Sequence, residues 1–560
     1  MAYNKRIPDV GWWRDQLAAG IRFREQNAFE HRWPTWRSYY RGEWDSGVLP
    51  INLFFTLLRM LVPRVHFKNP AVSIVSAQPG MSNAIFAQIL ERVDNKLLTA
   101  MKVKKQIKKM IQDTFLYGTS FGKVGFGSQF TPAPISPVTM QPLSRRYGVV
   151  EYKAGILPNM PWFSRIHPRN VIVPNGCEDT DDCRWLSHIV DRPIIDVKND
   201  SRFKNTNDIN PTRQVSIQRH GTNVNIMKPI EMTRLYEIRD RKYDQVTVIC
   251  EDHTKPLYVG PDTLQTRTGF SILPLIFNVD GDVFWGIPDS IIVEPQQLEI
   301  NEIRTQAMKH RRVSIVKVLY EQGVIEETEL EKMLSEEVLA GIKVKDINKI
   351  KPMQISNIPN DLMLAAEQIR SDVREQMGFS RNQAGELSQK SGDTTATEAS
   401  IVQMASEIRV NERQDVVADM MVNLVETIHE IIFQFWQKEQ VIDLIGPGGI
   451  PVWVEFSGKM LSGGSFEIVM DADAGMPISR TARTNKAVQM YQLLKDNPLI
   501  DPILLTKQLL REFHGVQYDS LLRGLPQGAG QAFPMNVGQF GQMMQNGANL
   551  GLSAPKQRSV

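Results

Sequence analysis

The chain has 560 residues, 42% of them hydrophobic and 23% charged, with a formal net charge of +3. That length allows one large or several modest cores, and the composition excludes a disordered, collagen-like or membrane-embedded chain. So small a net charge excludes the basic footprint of a protein that grips nucleic acid tightly, which leaves only loose or local contact with DNA. Three cysteines, Cys177, Cys183 and Cys250, are too few for a disulfide framework. The opening MAYNKRIPDVGWW lacks the apolar core of a signal peptide, so assembly in a reducing cytoplasm is expected. The longest apolar stretch, Ile51 to Val62, contains Arg59 and stops at Pro63. It falls short of the roughly 20 residues that cross a bilayer.

The segment Trp12 to Trp44 is crowded with Trp, Tyr and Arg and reads as helix broken at Pro34. Its aromatics either anchor an interface or cap a core. Helices are expected over Ile51 to Val62 and Asn83 to Tyr117. The second holds Ile85, Ile89, Val93, Leu97, Met101, Ile107, Met110 and Ile111 near helical spacing. Lys102, Lys104, Lys105, Lys108 and Lys109 cluster midway along it and read as a solvated face rather than a DNA patch.

From Gly118 to about Pro288 short β-branched and aromatic runs (KVGF, VVEY, NVIV, QVTVI, SILPLIF) alternate with Gly, Pro and Asn, which predicts an α+β body. Between Val190 and Lys228 a polar stretch reads as an exposed excursion. Residues 289–312 predict a helix starting near Pro295. Residues 361–378 predict another, capped by Asp361, stopped by Gly378, and striped by Leu362, Ala365, Ala366, Ile369, Val373 and Met377. Between these two helices lies a strand–helix–strand insert (SIVKVLYEQG, EETELEKMLSEEVLAG, IKVKDINKIKP). A polar loop, Phe379 to Thr395, leads into the longest helix. Thr395 and Glu398 make its capping box, and Ile401, Met404, Ile408, Val416, Met420, Leu424, Ile428, Ile431 and Phe435 carry its stripe to about Gln440. Short strands (VWVEF, SFEIVM), Pro-broken helices from Ser479 to Leu522, and a Gly-, Gln-, Asn- and Met-rich end from Gln527, expected to be flexible or ordered only by a partner, complete the chain.

Several near-motifs fail as chemistry. Gly118 to Lys123 (GTSFGK) lacks one residue of a phosphate loop, and Val124 stands where Ser or Thr would hold magnesium, so it reads as a structural turn. His429 and Glu430 begin a zinc-protease helix, but Phe433 occupies the second histidine's place. Cys177 and Cys183 with His167 and His188 match no standard zinc spacing and read as free thiols. Asp471 and Asp473 lack partner carboxylates and read as turn and cap residues. No metal, cofactor or catalytic residue is expected, and no enzyme.

The order of parts resembles the portal proteins of tailed bacteriophages, whose parts are wing, stem, clip, stem, wing and crown. DTFLYGTSFGKV (Asp113 to Val124), IHPRNVIVPNGCEDTDDCRWLSH (Ile166 to His188), TTATEAS (Thr394 to Ser400) and NPLIDPILLTKQLL are similar to stretches of that family. The resemblance implies an α+β fold with the wing over 1–293, a stem helix over 294–312, the clip over 313–357 and a second stem helix over 358–379. Wing resumes over 380–475, with a tunnel loop at 381–394 and the long helix at 395–440. The crown covers 476–524 and a flexible tail 525–560. It further implies a dodecameric ring at one capsid vertex of the virion, a conduit for double-stranded DNA in packaging, retention and ejection.

The implied partners are the terminase large subunit, the major capsid protein, head-tail adaptor or connector proteins and scaffolding protein, with no membrane. Residues implied to face DNA are Arg381, Gln383, Ser388, Gln389, Lys390 and Ser391 of the tunnel loop, with Arg370 and Arg374 of the second stem helix. Short or polar side chains can touch phosphates without reading bases, and a ring repeats Lys390 into a positive belt. Arg370 and Arg374 can equally pair with Glu367, Asp372 or neighbours. Terminase or adaptor docking is implied for Glu326, Glu327, Glu331, Lys332, Glu336, Glu337, Lys343 and Lys345 of the clip. The competing readings are a structural connector or scaffold without a channel, and a packaging-motor enzyme, which should carry an intact phosphate loop and acidic metal ligands.

Overall fold

The structure, a computed structural model, describes residues 8–66, 72–127, 160–215, 230–264, 266, 269–313, 317–334, 341–353, 360–378, 396–436, 440–445, 451–470, 488–494, 535–539 and 542. The fold mixes α and β, as the sequence predicts. Two compact units form: one from 1–31, 61–289 and 410–560, the other from 32–60 and 290–409.

Asp9 caps α1 (Val10–Asn27) by accepting a hydrogen bond from the Trp12 amide at 2.7 Å. Val10, Trp13, Leu17 and Gly20 recur at helical spacing on its buried face. Pro34 lies in the first turn of α2 (Trp33–Arg41), so it begins a helix rather than breaking one, because a first-turn residue needs no amide donor. Trp13, Trp33 and Trp36 are core residues. α3 (Leu53–Val65) and β1 (Val72–Ser76) follow. The single helix expected over 83–117 is two, α4 (Met81–Ala100) and α5 (Val103–Tyr117), because Lys102 adopts a left-handed conformation (φ 55°) between them.

Gly118 (φ 82°) turns the chain into β2 (Thr119–Phe126); a Cβ there would lie 2.0 Å from the Gly286 carbonyl. The structural turn read at GTSFGK is therefore confined to Gly118, and the rest is a fully buried strand. Then come β3 (Pro161–Ile166), β4 (Val171–Ile172), β5 (Trp185–Pro193), α6 (Ile194–Lys198), β6 (Arg213–Val215), β7 (Ile230–Asp240), β8 (Gln245–Cys250), β9 (Tyr258–Pro261) and β10 (Ile272–Ile276). β10, β2 and β3 form one antiparallel sheet. A six-stranded sheet runs β4-β5-β7-β8-β9, with β6 also on β7.

Side chains alternate across the larger sheet. Ile172, Trp185, Ile189, Tyr236, Ile238 and Ile249 pack against α1. Gly20 permits that contact, since a Cβ would meet the Val173 carbonyl at 2.4 Å. The other cluster gathers Leu235, Val246, Val248 and Cys250 with Val197, Phe203, Ile209 and Leu257. The Val190 to Lys228 stretch is thus not wholly an exposed excursion: three of its apolar residues, Val197, Phe203 and Ile209, tie it into the core. Cys177 and Cys183, expected as free thiols, form a disulfide, their Cα atoms 5.7 Å apart and within bonding reach. Cys250 is free and buried.

The second half continues with α7 (Asp289–Val313), which begins six residues before Pro295 and contains it. β11 (Lys317–Tyr320), α8 (Glu327–Leu334), β12 (Ile350–Met353), α9 (Asn360–Met377) and the 40-residue α10 (Ala396–Phe435) follow. α9 starts two residues earlier than a cap at Asp361 requires, so Asp361 sits in its first turn and favours the helix dipole instead. Gly378 (φ 72°) ends it as expected. α10 is about 60 Å long, and Val417, Met420, Met421, Leu424, Val425, Ile428, Ile431 and Ile432 are buried hydrophobics among its described side chains.

β13 (Gln440–Ile445), β14 (Pro451–Phe456), α11 (Gly458–Leu461), β15 (Phe466–Met470) and β16 (Met535–Asn536) complete the elements. β1 pairs with β15, and β16 runs parallel to β14, so part of the segment expected to need a partner for order is placed by its own chain. Of the expected terminal helices, residues 488–494 are helical. VVEY, Thr395, Asp471 and Asp473 lie outside the described residues.

Candidate nucleic-acid interface and docking module

In the unit of 32–60 and 290–409, α7 is fastened by a ladder of polar side chains. Trp36 Nε1 and Arg32 donate to Glu294, each at 2.9 Å. The amides of Leu53, Ile51 and Leu49 donate to Gln297 (2.7 Å), Asn301 (2.9 Å) and Thr305 (3.0 Å). Gln297 returns a bond to the Ile51 carbonyl at 2.7 Å. Glu294, Gln297, Asn301 and Thr305 recur every three or four residues, so one helix face receives the irregular segment that leads into α3. Sequence reading missed this role; that polar spacing inside an otherwise apolar-patterned helix was the available signal.

The expected strand, helix and strand of the insert form. β11 pairs antiparallel with β12, Lys317 opposite Met353 and Tyr320 opposite Ile350. Val324, at 8% exposure, is the one buried hydrophobic among the insert's described side chains. Leu319 (55%), Tyr320 (43%) and Ile347 (75%) are exposed. Glu329 organises the rest: it accepts from Lys332 and from the Lys343 amide, both at 3.0 Å. The Lys343 amide first, then Lys332, hold its carboxyl below the ordinary value.

Among the residues expected to dock partners, Glu326, Glu327, Glu331, Lys332, Lys343 and Lys345 are all exposed. Lys332 is engaged by Glu329, and Lys345 reaches the Gly323 carbonyl at 3.2 Å. Glu336 and Glu337 lie outside the described residues.

On α9, Ile369, Val373 and Met377 are buried, whereas Leu362, Ala365 and Ala366 of the expected stripe are half-covered. Met363 (63%) and Leu364 (65%) are exposed. Arg370 is exposed and Arg374 half-buried. Asp372, one expected partner for them, accepts from Gln368 at 2.7 Å. Arg381, Gln383, Ser388, Gln389, Lys390 and Ser391 lie outside the described residues.

The strongest charge coupling lies in the other unit. Lys123, on β2, donates to Glu237 on β7 at 2.7 Å and lies 3.3 Å from His188 Nδ1. Arg239 bridges Glu237 (3.1 Å) and Asp262 (2.7 Å). Burial opposes ionisation of Glu237, but Lys123, Arg239 and His188 outweigh it and hold the carboxyl at about 2. His429, on α10, meets Asp94 of α4 at 2.6 Å. Burial raises the Asp94 carboxyl despite that partner.

His429 also stacks on Phe433, the residue that replaces a zinc-protease histidine. His167 caps a short turn by accepting from the Arg169 amide at 3.1 Å. Among the described residues no three His, Cys, Asp or Glu side chains gather where they could hold a metal ion. No described helix is long and apolar enough to cross a membrane. No protein-family model matches the sequence, and no curated protein matches it either.

Proposed function

We propose that this chain is one subunit of a phage portal, a ring that conducts double-stranded DNA at one capsid vertex. The observation that carries the reading is the second unit's architecture: two helices, α7 and α9, flank a small β11–α8–β12 module in which Val324 is the one buried hydrophobic among the described side chains. A two-stranded sheet is marginal alone, and its two edges, unpaired among the described residues, invite further chains. Leu319, Tyr320, Ile347, Met363 and Leu364 supply apolar surface that neighbouring copies would cover.

In this reading 313–357 is the clip, α7 and α9 are the stem, 381–394 is the tunnel loop and α10 is the long wing helix. The exposed charges of the clip, Glu326, Glu327, Glu331, Lys343 and Lys345, offer polar contacts to the terminase large subunit and later to head-tail connector proteins. The major capsid protein and scaffolding protein are further partners, and the chain itself hydrolyses nothing. DNA passes because Arg370, Arg374 and Lys390 meet phosphates singly rather than as a continuous grip.

Electron microscopy of the purified full chain tests the proposal. End-on views should show twelvefold rings with a central hole. Compact monomers that hydrolyse ATP would overturn it in favour of a motor protein.

A further inference from the structure

We propose that the exposed face of α5, carrying Lys102, Lys104, Lys105, Lys108 and Lys109, binds the phosphodiester backbone of double-stranded DNA. Residues 95–112 contain six lysines and no acidic residue. The nearest carboxylates on either side are committed elsewhere: Asp94 to His429, and Asp113 to Arg165. All five lysines are exposed, while Val103, Ile107, Met110 and Ile111 fill the buried face. None of the five makes an ion pair among the described residues.

A merely solvated helix face mixes charge signs, because opposite charges three or four residues apart stabilise a helix and like charges destabilise it. Here Lys104 faces Lys108, and Lys105 faces both Lys108 and Lys109. The cluster also begins at the helix N-terminus, where the dipole disfavours cations. α5 has neither an acidic first turn nor a side-chain cap at Lys102. The His66 ring nitrogen meets the Lys104 carbonyl at 2.8 Å, a bond that by itself favours the protonated ring. His66 titrates below its ordinary value, through burial first, with Lys104 and Lys108 adding to it. A polyanion laid along the helix relieves every one of these repulsions.

Lys102 to Lys109 span about 10 Å of helix, or roughly three phosphates of one strand. An anionic membrane offers the same charge, but helices that bind membranes insert an apolar face, and here that face is occupied by the protein's own core. The choice of duplex DNA as the polyanion rests on the proposed function; the unpaired lysines do not.

The test measures binding of a fluorescent 30-base-pair duplex to the full chain across a salt series. Two variants are compared with the native chain: K104Q/K105Q/K108Q/K109Q, and K198Q/K204Q/K242Q/K255Q, which removes the same charge from other exposed lysines. The first variant should bind at least tenfold more weakly, with a log–log salt slope shallower by about 3. The second should stay within about twofold of native. Equal behaviour of the two variants overturns the proposal, as does native binding to phosphatidylserine vesicles without binding to the duplex. Ring imaging of the same samples separates the outcomes: rings with lysine-independent binding sink this inference alone, whereas monomers with lysine-dependent binding sink the portal reading alone.

Discussion

Lys123→Met removes one cation from a site where every charge is buried. Lys123 is 3% exposed and Glu237 2%, so water cannot replace the lost partner. A carboxyl held at about 2 rather than its ordinary 4.5 favours the folded state by about 3 kcal/mol at neutral pH. That contribution is fully present above pH 4.5 and is lost as pH falls toward 2. Without Lys123 the carboxyl keeps only Arg239 and His188 against the cost of burial. The variant should therefore lose about 3 to 5 kcal/mol at pH 7, the usual result of stranding a buried charge.

Its acid transition should also begin at higher pH than that of the native chain. The double variant K123M/E237L, which strands nothing at that pair, should recover most of the loss. Urea denaturation followed by circular dichroism from pH 3 to pH 7 measures all three chains. A Lys123→Met chain within about 0.5 kcal/mol of native at pH 7 would refute the reasoning, because the pair would then contribute no net stability.

Cys177→Ser opens the loop closed by the disulfide and should cost about 2 kcal/mol in oxidised protein and nothing after reduction, read as a melting-temperature difference between the two conditions. Gly20→Val forces a side chain against the Val173 carbonyl and should cost about 3 kcal/mol in denaturant titration. Leu364→Glu, at an exposed position of α9, should leave the circular dichroism spectrum unchanged while reducing ring formation about tenfold in analytical ultracentrifugation. Lys390→Ala should lower DNA packaging and retention in assembled particles; unchanged values for both would count against its contact with the duplex.

Where local chemistry decides, the sequence was readable. α9 ends at Gly378 as its left-handed residue demands, the insert forms strand, helix and strand, and the five lysines of α5 are exposed. Where distant contacts decide, it was not. Lys102 breaks a continuous apolar pattern through backbone conformation alone, which side-chain spacing does not encode. Val197, Phe203 and Ile209 lie in a stretch whose average polarity hid three anchors to β7 and β8. Cys177 and Cys183 were too few for a framework, yet a single bridge needs only two thiols within reach. Of the residues expected to meet DNA, only Arg370 and Arg374 fall on described positions.

The ladder on α7 also sets a timetable. Leu49, Ile51 and Leu53 find their side-chain acceptors 244 to 256 residues further along the chain. A ribosome adding about 5 to 20 residues each second needs roughly 10 to 50 s to supply them. During that interval the side chains that accept from these amides do not yet exist, and a truncated translation product ending before Gln297 cannot form the ladder.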